Sequence, residues 1–402
     1  MLELRPILSA LRRHKVAALL IALQLGLTLA IVGNATVVIQ EHAQRMARPT
    51  GVAVADIVTA GFRPIPKDYD KFAAFRLDLD LIRALPSVVD ATISDEPPLT
   101  GGGSYSSFQT APNQQTGIAD ANYFTVDEHF ISALGMRLIA GRTFTAAEIQ
   151  RADSTANWQP GTAIITQQLA GKLFPRGEVL GKSIYLKNDD KPVRIVGIVE
   201  RNLGSWPNWS SAGNAVFYPV IRDGQWVSYI VRAEPGQRNL VQKRLEKTLA
   251  ERDPRRVITV KTLEEQRDRY FAGDSTMATV LSAVVGLLTS IVALGIAGLT
   301  AFWITQRQQQ TGIRRALGAS RGAICRYFLL ENLMIAATGL LLGTAAAQLV
   351  NHFLSGAFGQ PALPPGTTIA CGLILLGISL AAALAPALRA ANISPATATR
   401  SV

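Results

Sequence analysis

The chain has 402 residues, 48% hydrophobic and 17% charged, with a formal net charge of +11. That apolar balance points to a membrane protein with a sizeable polar portion rather than a water-soluble domain. The positive charge does not indicate nucleic acid. Residues 40–275 hold 29 Lys+Arg and 27 Asp+Glu, and the rest of the chain holds 11 and 2. The excess therefore lies in short segments beside apolar runs, as in loops held on the cytoplasmic side of a membrane.

Residues 1–15 carry Arg5, Arg12, Arg13 and Lys15 against Glu3, and read as a cytoplasmic amphipathic N-terminus. Residues 16–39 contain no charge. That run exceeds the apolar core of a secretory signal, and no convincing A-x-A site follows. At ~1.5 Å per residue it crosses a bilayer core of ~30 Å, so it reads as a retained first span. Ala22, Gly26 and Ala30 recur every four residues in it. The stripe fits close approach of another helix, or ordinary apolar filler.

Residues 40–275 form a polar ectodomain. Strand 51–60 precedes a helix whose Phe72, Phe75, Leu79 and Ile82 share one face, and strand 88–93 follows. Strand 227–235, a helix bearing Val241, Leu245 and Leu249, and strand 256–262 repeat the pattern. Two β-α-β units at opposite ends suggest one layered α+β subdomain with another inserted at about 113–215. The insert reads as a mixed sheet with short helices. GEVLGKS (177–183) resembles a phosphate-binding loop but has too few residues between its glycines. Asn208 heads a formal glycosylation sequon with no context to support it. Acid pairs such as Asp95–Glu96 and Asp189–Asp190 read as solvated turns.

No catalytic or metal constellation emerges. The two cysteines, Cys325 and Cys371, lie outside the ectodomain, and His14, His42, His129 and His352 show no ligand spacing. Neither cofactor nor metal is expected on this chain.

A second span is read at 276–304, a basic segment at 305–327, a third span at 328–352, a Gly/Pro-rich loop at 353–366, a fourth span at 367–388 and a tail at 389–402. Gly339-xxx-Gly343 in the third span is a close-packing motif. Basic residues at the N-terminus, between spans two and three, and after span four place both chain ends in the cytoplasm. The fold class is a membrane protein of four transmembrane α-helices, with a large α+β periplasmic ectodomain between helices one and two.

The basic segment contains TGIRRALGAS (311–320) and carries Arg307, Arg314, Arg315, Arg321 and Arg326 with no acid. Its charge alone fits a cytoplasmic loop. A sharper reading is a docking surface through which a cytoplasmic partner moves the membrane helices. Residues 306–315 are expected to continue span two as a helix, with Gly318 and Ser320 stopping it and starting the next. Ile313 and Leu317 would face the membrane or the bundle. Arg314, Arg315 and Arg321 would be free for lipid head groups or an acidic partner. Glu331, the only acid in the third span, reads as a membrane-edge partner of Arg326 or Arg315 in preference to a transport residue.

TGIRRALGASRGAICRYFLLENLMIAATGLLLG resembles the signature of FtsX-like, MacB-type permeases of ABC transporters. ANYFTVDEHFISALGMRLIAGRTFT and TAIITQQLAGKLFPRGEVLGKSI resemble that family's periplasmic core domain, and APALRAANISPATATR its usual C-terminus. The resemblance implies an inner-membrane permease, paired with an identical or homologous permease and served by two cytoplasmic ATPase subunits that hold ATP and magnesium. ATP-driven closure would pass through the membrane helices to the ectodomains, a mechanotransmission cycle. The substrate would be a peptide, a lipid-linked molecule or a drug-like compound. A periplasmic adaptor and outer-membrane channel would dock near the insert.

By the same resemblance, ATPase coupling falls on Arg307, Thr311, Gly312, Ile313, Arg314, Arg315, Leu317, Gly318 and Arg321, together with the N-terminal stretch. Helix packing falls on Gly26, Gly339 and Gly343. No ATPase domain is seen in the sequence, so the ATPase is expected on a separate chain. Thr311 stands where family members commonly have an acid, which leaves any salt bridge of that acid in doubt. Regulation of a cell-wall hydrolase and lipoprotein extraction are alternative functions.

Overall fold

The computed structural model describes residues 15–392, apart from 67, 115–117, 154–157, 188 and 225–226. The N-terminal stretch 1–14 and the tail 393–402, both assigned cytoplasmic roles above, lie outside the described residues. The chain divides into two compact units, Ala47–Ala272 and the helical residues flanking it on both sides. Helix α1 (Lys15–Ala47) opens the helical unit.

The ectodomain unit begins with β1 (Ile57–Pro64), α2 (Lys71–Arg83) and β2 (Val88–Ser94). Asp70 caps α2, accepting a hydrogen bond from the Ala73 amide. The insert then runs through β3 (Ser104–Gln109), β4 (Ala119–Val126), α3 (Phe130–Ala133), β5 (Leu138–Gly141) and β6 (Gln150–Ala152). It continues through β7 (Thr162–Thr166), α4 (Gln167–Leu173), β8 (Ser183–Leu186), β9 (Val193–Val199) and β10 (Ala215–Arg222). The second β-α-β unit comprises β11 (Val227–Ala233), α5 (Arg238–Arg252) and β12 (Arg256–Thr262), and α6 (Leu263–Tyr270) closes the unit.

The four framing strands lie in the order β12-β1-β11-β2, every pair antiparallel. This is the split β-α-β arrangement of ferredoxin-like domains, interrupted after β2 by the insert. Strand alternation divides two cores between the sheet faces. Val58, Ala60, Phe62, Tyr229 and Val231 meet Phe75, Leu79 and Ile82 of α2 and Val241, Leu245 and Leu249 of α5. Ile57 and Ile230 instead join Phe124, Phe130 and Phe217 of the insert. The pairing path β4-β3-β8-β9-β7-β10 returns to β4 through a parallel β10–β4 ladder, closing a six-stranded ring. Inserted strands thus run from Ser104 to Arg222, wider than 113–215. The segment GEVLGKS turns into β8, with Gly177 and Gly181 at positive φ.

The helical unit continues with α7 (Ala272–Gln306), α8 (Gln308–Ala316), α9 (Arg321–Phe358) and α10 (Pro365–Ala391). Helices α1, α7, α9 and α10 are each long and apolar enough to cross a membrane. Ile21, Leu25 and Leu29 of α1 pack with Val292 and Ile296 of α7, Ile335 and Ala336 of α9, and Cys371 and Leu375 of α10. Helices α1 and α9 approach through glycine. A Cβ at Gly339 would lie 2.5 Å from the Ala22 carbonyl oxygen, and one at Gly343 2.6 Å from the Gly26 Cα. Side-chain amides tie the bundle where water is scarce. Asn34 donates to the Ala347 carbonyl, Asn351 donates to Asn34 Oδ1, and Asn332 donates to the Ser379 hydroxyl.

Candidate coupling site at the basic segment

Helix α7 does not run on into the basic segment. It stops at Gln306, and Arg307 leaves helical geometry (φ −107°, ψ 14°) before α8 begins at Gln308. The continuous helix expected from sequence is therefore broken at Arg307. The break accompanies an ion pair that local spacing does not reveal. Arg307 Nη1 donates to both carboxylate oxygens of Glu331, at 2.9 and 3.0 Å, and both side chains are buried. Glu331 therefore pairs with Arg307, not with Arg326 or Arg315.

Helix α8 has one buried and one open side. Thr311 and Gly312 are buried, and the Thr311 hydroxyl donates to the Arg307 carbonyl one turn back, 3.0 Å away. Thr311 thus satisfies itself locally and makes no bridge. Ile313 is 48% exposed and Leu317 83%, so neither is covered by the helical unit. Of the two settings expected for this pair, membrane or bundle, the bundle contact is absent among the described residues, and the bundle side of α8 is carried by Thr311 and Gly312. The Arg314 guanidinium lies 4.7 Å above the Tyr327 ring, so Arg314 is engaged rather than free. Arg315 is half-buried, with Nε lacking a hydrogen-bond partner among the described residues.

Gly318 sits at φ 94°, where a side chain is strained, and ends the segment's first helix. Its amide and that of Ala319 donate to Arg315 and Arg314 carbonyls, as a left-handed helix terminus requires. Ser320 then caps α9, accepting from the Ala323 amide at 3.2 Å. Arg321 follows, exposed, in the first turn of α9. The segment is therefore a short amphipathic helix, pinned to α9 by Arg307–Glu331 and Arg314–Tyr327, with an apolar and cationic outer face. It offers no group for bond making.

The ectodomain treats differently the two acid pairs that both read as solvated turns in the sequence. Asp95 and Glu96 are not solvated turns. Asp95 accepts from the Ser94 hydroxyl and the Thr125 amide, and burial raises its pKa. Burial, and then the Asp95 charge, push Glu96 up to about 7. Glu96 Oε2 and the buried Ser205 hydroxyl have no hydrogen-bond partner among the described residues. By contrast Asp189 does sit in a turn, accepting from the Lys191 amide.

Four long apolar helices, a ferredoxin-like ectodomain between the first two, and a pinned basic helix between the second and third define a membrane permease component. The family comparisons agree. Residues 20–248 match the MacB-like periplasmic core domain and residues 282–395 the FtsX-like permease C-terminal domain. The chain belongs to this family of MacB-like, FtsX-like ABC transporter permeases.

Among its relatives is the macrolide export ATP-binding/permease protein MacB of Neisseria gonorrhoeae, 24% identical over 286 residues, covering 68% of this chain and 42% of that protein. The chain thus spans about two fifths of the length of the MacB relatives. The uncharacterized ABC transporter permease YknZ of Bacillus subtilis is 23% identical over 295 residues, 70% of each chain. The crystal structure of the periplasmic region of MacB from Actinobacillus actinomycetemcomitans aligns with 55% of this chain at 14% identity and a TM-score of 0.34. That overlap is too low to bear on the assignment, which rests on sequence.

Proposed function

We propose that this chain is the permease of an ATP-driven exporter in a bacterial inner membrane, and that α8 is where ATPase movement enters it. The observation that carries this is the two-sidedness of α8: Thr311 and Gly312 are buried, Ile313 and Leu317 are open, and Arg307–Glu331 ties the helix base to α9. A partner gripping the open side would move α9, and with it α1, which is packed against α9 through Gly339 and Gly343. In this reading the basic segment and both chain ends face the cytoplasm, with the ectodomain in the periplasm. ATP and magnesium are held by the ATPase subunits, and none by this permease.

Helix α7 supports pairing with a second permease, since Val280, Val284, Leu287, Ile291 and Leu294 stand uncovered along it. The named activity of the MacB relatives supports a drug-like cargo, with peptide and lipid-linked molecules in the same class. An adaptor and outer-membrane channel would complete the route beyond the ectodomain.

The test is purification of the chain with a co-expressed candidate ATPase and measurement of ATP turnover in vesicles. Ile313→Ser with Leu317→Ser is expected to release the ATPase, or to abolish stimulation of its turnover by the permease. Unchanged co-purification and turnover would sink the assignment of α8. Arg314→Glu with Arg315→Glu extends the test to the cationic part of the same face.

A further inference from the structure

A cleft of about 710 Å³ runs between the first turns of α9 and the last turns of α10. Leu329 and Leu333 form one wall, and Leu384 and Leu388 the other. Arg321, Arg326 and Asn392 sit at its mouth. From Arg321 to Leu333 the helix rises about 18 Å, close to the depth of one leaflet of a ~30 Å hydrocarbon core. Both arginines lie within the first ~8 Å of that rise, so the cleft is cationic at its outer end and apolar from Leu329 inward.

Both mouth arginines are exposed and have no carboxylate partner among the described residues. Sequence alone shows why. Beyond residue 305 the chain contains one acid, Glu331, and Arg307 holds it. Residues 393–402 contain no Asp or Glu either. No acid of this segment is left to pair with Arg321 and Arg326, so both are open to an anion from outside it. A soluble acidic protein could neutralise the arginines but would not fill a leucine-lined cleft at bilayer depth. A phosphodiester with acyl chains does both.

We propose that this cleft binds an anionic phospholipid, its phosphate on Arg321 and Arg326 and one acyl chain between Leu329, Leu333 and Leu384. Bound there, the lipid braces the start of α9, the helix that α8 is pinned to. The site stands whether or not α8 meets an ATPase. Each arginine near an anionic headgroup is worth a factor of about five in affinity, so the pair supplies roughly thirtyfold selectivity over a neutral lipid.

Cys325 lines the cleft and provides the readout. The other cysteine, Cys371, is buried, and Cys371→Ser leaves Cys325 as the single thiol of the full chain. The chain is reconstituted in phosphatidylcholine vesicles with increasing phosphatidylglycerol, and maleimide labelling of Cys325 is timed. Phosphatidylglycerol is expected to slow labelling. Arg321→Gln with Arg326→Gln is expected to raise the amount needed roughly thirtyfold. Native mass spectrometry of the detergent-extracted chain is expected to show a retained phosphatidylglycerol, lost in Leu384→Trp, whose ring narrows the cleft between its leucine walls with both arginines intact.

Equal protection by phosphatidylcholine alone would overturn the proposal, leaving an apolar groove without anion selectivity. Equal protection by soluble glycerol phosphate would overturn it in favour of a simple anion site. Protection that follows protein density rather than lipid would assign the cleft to a second copy of the chain. An unchanged lipid response in the double arginine variant, with lipid still retained in Leu384→Trp, would also refute it.

Discussion

One guanidinium nitrogen of Arg307 bridges both oxygens of Glu331, at 2.9 and 3.0 Å, joining the break after α7 to the second turn-pair of α9. The two residues are 24 positions apart and both buried. Breaking such a pair from one side leaves an uncompensated buried charge, at a cost of about 3–5 kcal/mol, whereas replacing both charges by apolar groups is often near neutral. Glu331→Gln and Arg307→Met are therefore each expected to lower the thermal midpoint of the detergent-solubilised chain sharply. The pair Arg307→Met with Glu331→Leu should recover most of the loss. If the double variant is as unstable as the single ones, the bond is not a closed two-residue pair. If it is stable but uncouples ATP turnover, the pair serves transmission rather than folding.

The contact between α1 and α9 makes a prediction of opposite sign to helix propensity. Alanine in place of glycine in a helix normally stabilises by about 1 kcal/mol. A Cβ at Gly339 or Gly343 would instead meet backbone of α1 at 2.5 or 2.6 Å, and backbone cannot swing aside as a side chain can. Gly339→Ala and Gly343→Ala should destabilise by about 1–3 kcal/mol as the helices are forced apart. Gly377→Ala, with nothing within 4 Å of the added carbon, is the internal control. Thermal midpoints that do not separate the first two variants from the third would show that the helices close over the added methyl at no cost.

In the ectodomain, Asp78 lies at 0% exposure between both β-α-β units. Arg252 of α5 donates to it at 2.7 Å, Arg256 of β12 donates through both terminal nitrogens, and the Tyr229 hydroxyl of β11 donates at 2.5 Å. One carboxylate thus ties α2 to three elements that enter the chain about 150 or more residues later. Asp78→Ala leaves Arg256 buried and unpaired, and should cost about 3–5 kcal/mol. The loss should appear as a lower melting temperature of the tryptophan fluorescence, since Trp158, Trp206 and Trp209 all report on this unit. A loss below about 1 kcal/mol would mean that water reaches the cluster and solvates the arginine.

What could be read in advance follows from the range of each interaction. The face formed by Phe75, Leu79 and Ile82 is a local period, and it appears as the buried side of α2. Charge-free runs are local too, and the four long helices coincide with them. The two β-α-β units were visible as units, but their interleaved order β12-β1-β11-β2 depends on pairing across the whole insert, which no local pattern encodes. The same holds for Glu331. Arg326 and Arg315 are nearer in sequence, yet the break at Arg307 brings that side chain to the carboxylate. Thr311 and Gly312 gave no sign of burial, because Ile313 and Leu317 have the stronger hydropathy; of the two settings expected for that pair, their exposure leaves the membrane rather than the bundle. Asp95 and Glu96 read as a surface turn because adjacent acids usually are one. Gly102 and Gly103 lie against Glu96, and Gly103 in turn packs against Ser205, about a hundred residues later.

Glu96 carries a pH dependence with a definite sign. Burial, reinforced by the Asp95 charge, raises its folded-state pKa from 4.5 to about 7. A raised carboxyl favours the folded state while protonated, so its contribution is full below about pH 4.5 and is lost as pH climbs through 7. Burial also raises Asp127 to about 6, against the hydrogen bond from Thr92 and the charge of Arg83, so the same slope begins lower. The ectodomain is therefore expected to melt at higher temperature at pH 5.5 than at pH 8. Glu96 is half-buried, and solvent screening reduces its share to about 1–2 kcal/mol. In a unit of this size that is a shift of about 2–8 °C. Glu96→Gln removes the titrating group while keeping its shape. The variant should melt higher than the parent at pH 8 and show a shallower fall between about pH 4.5 and 7, while the part of the slope due to Asp127, which ends near pH 6, persists. Trp206 and Trp209 stack beside this loop, with ring centroids 4.6 Å apart, so their fluorescence reads the change locally. Parallel pH profiles for parent and variant across pH 4.5–7 would show that Glu96 ionises freely and that its surroundings open to water in the folded chain.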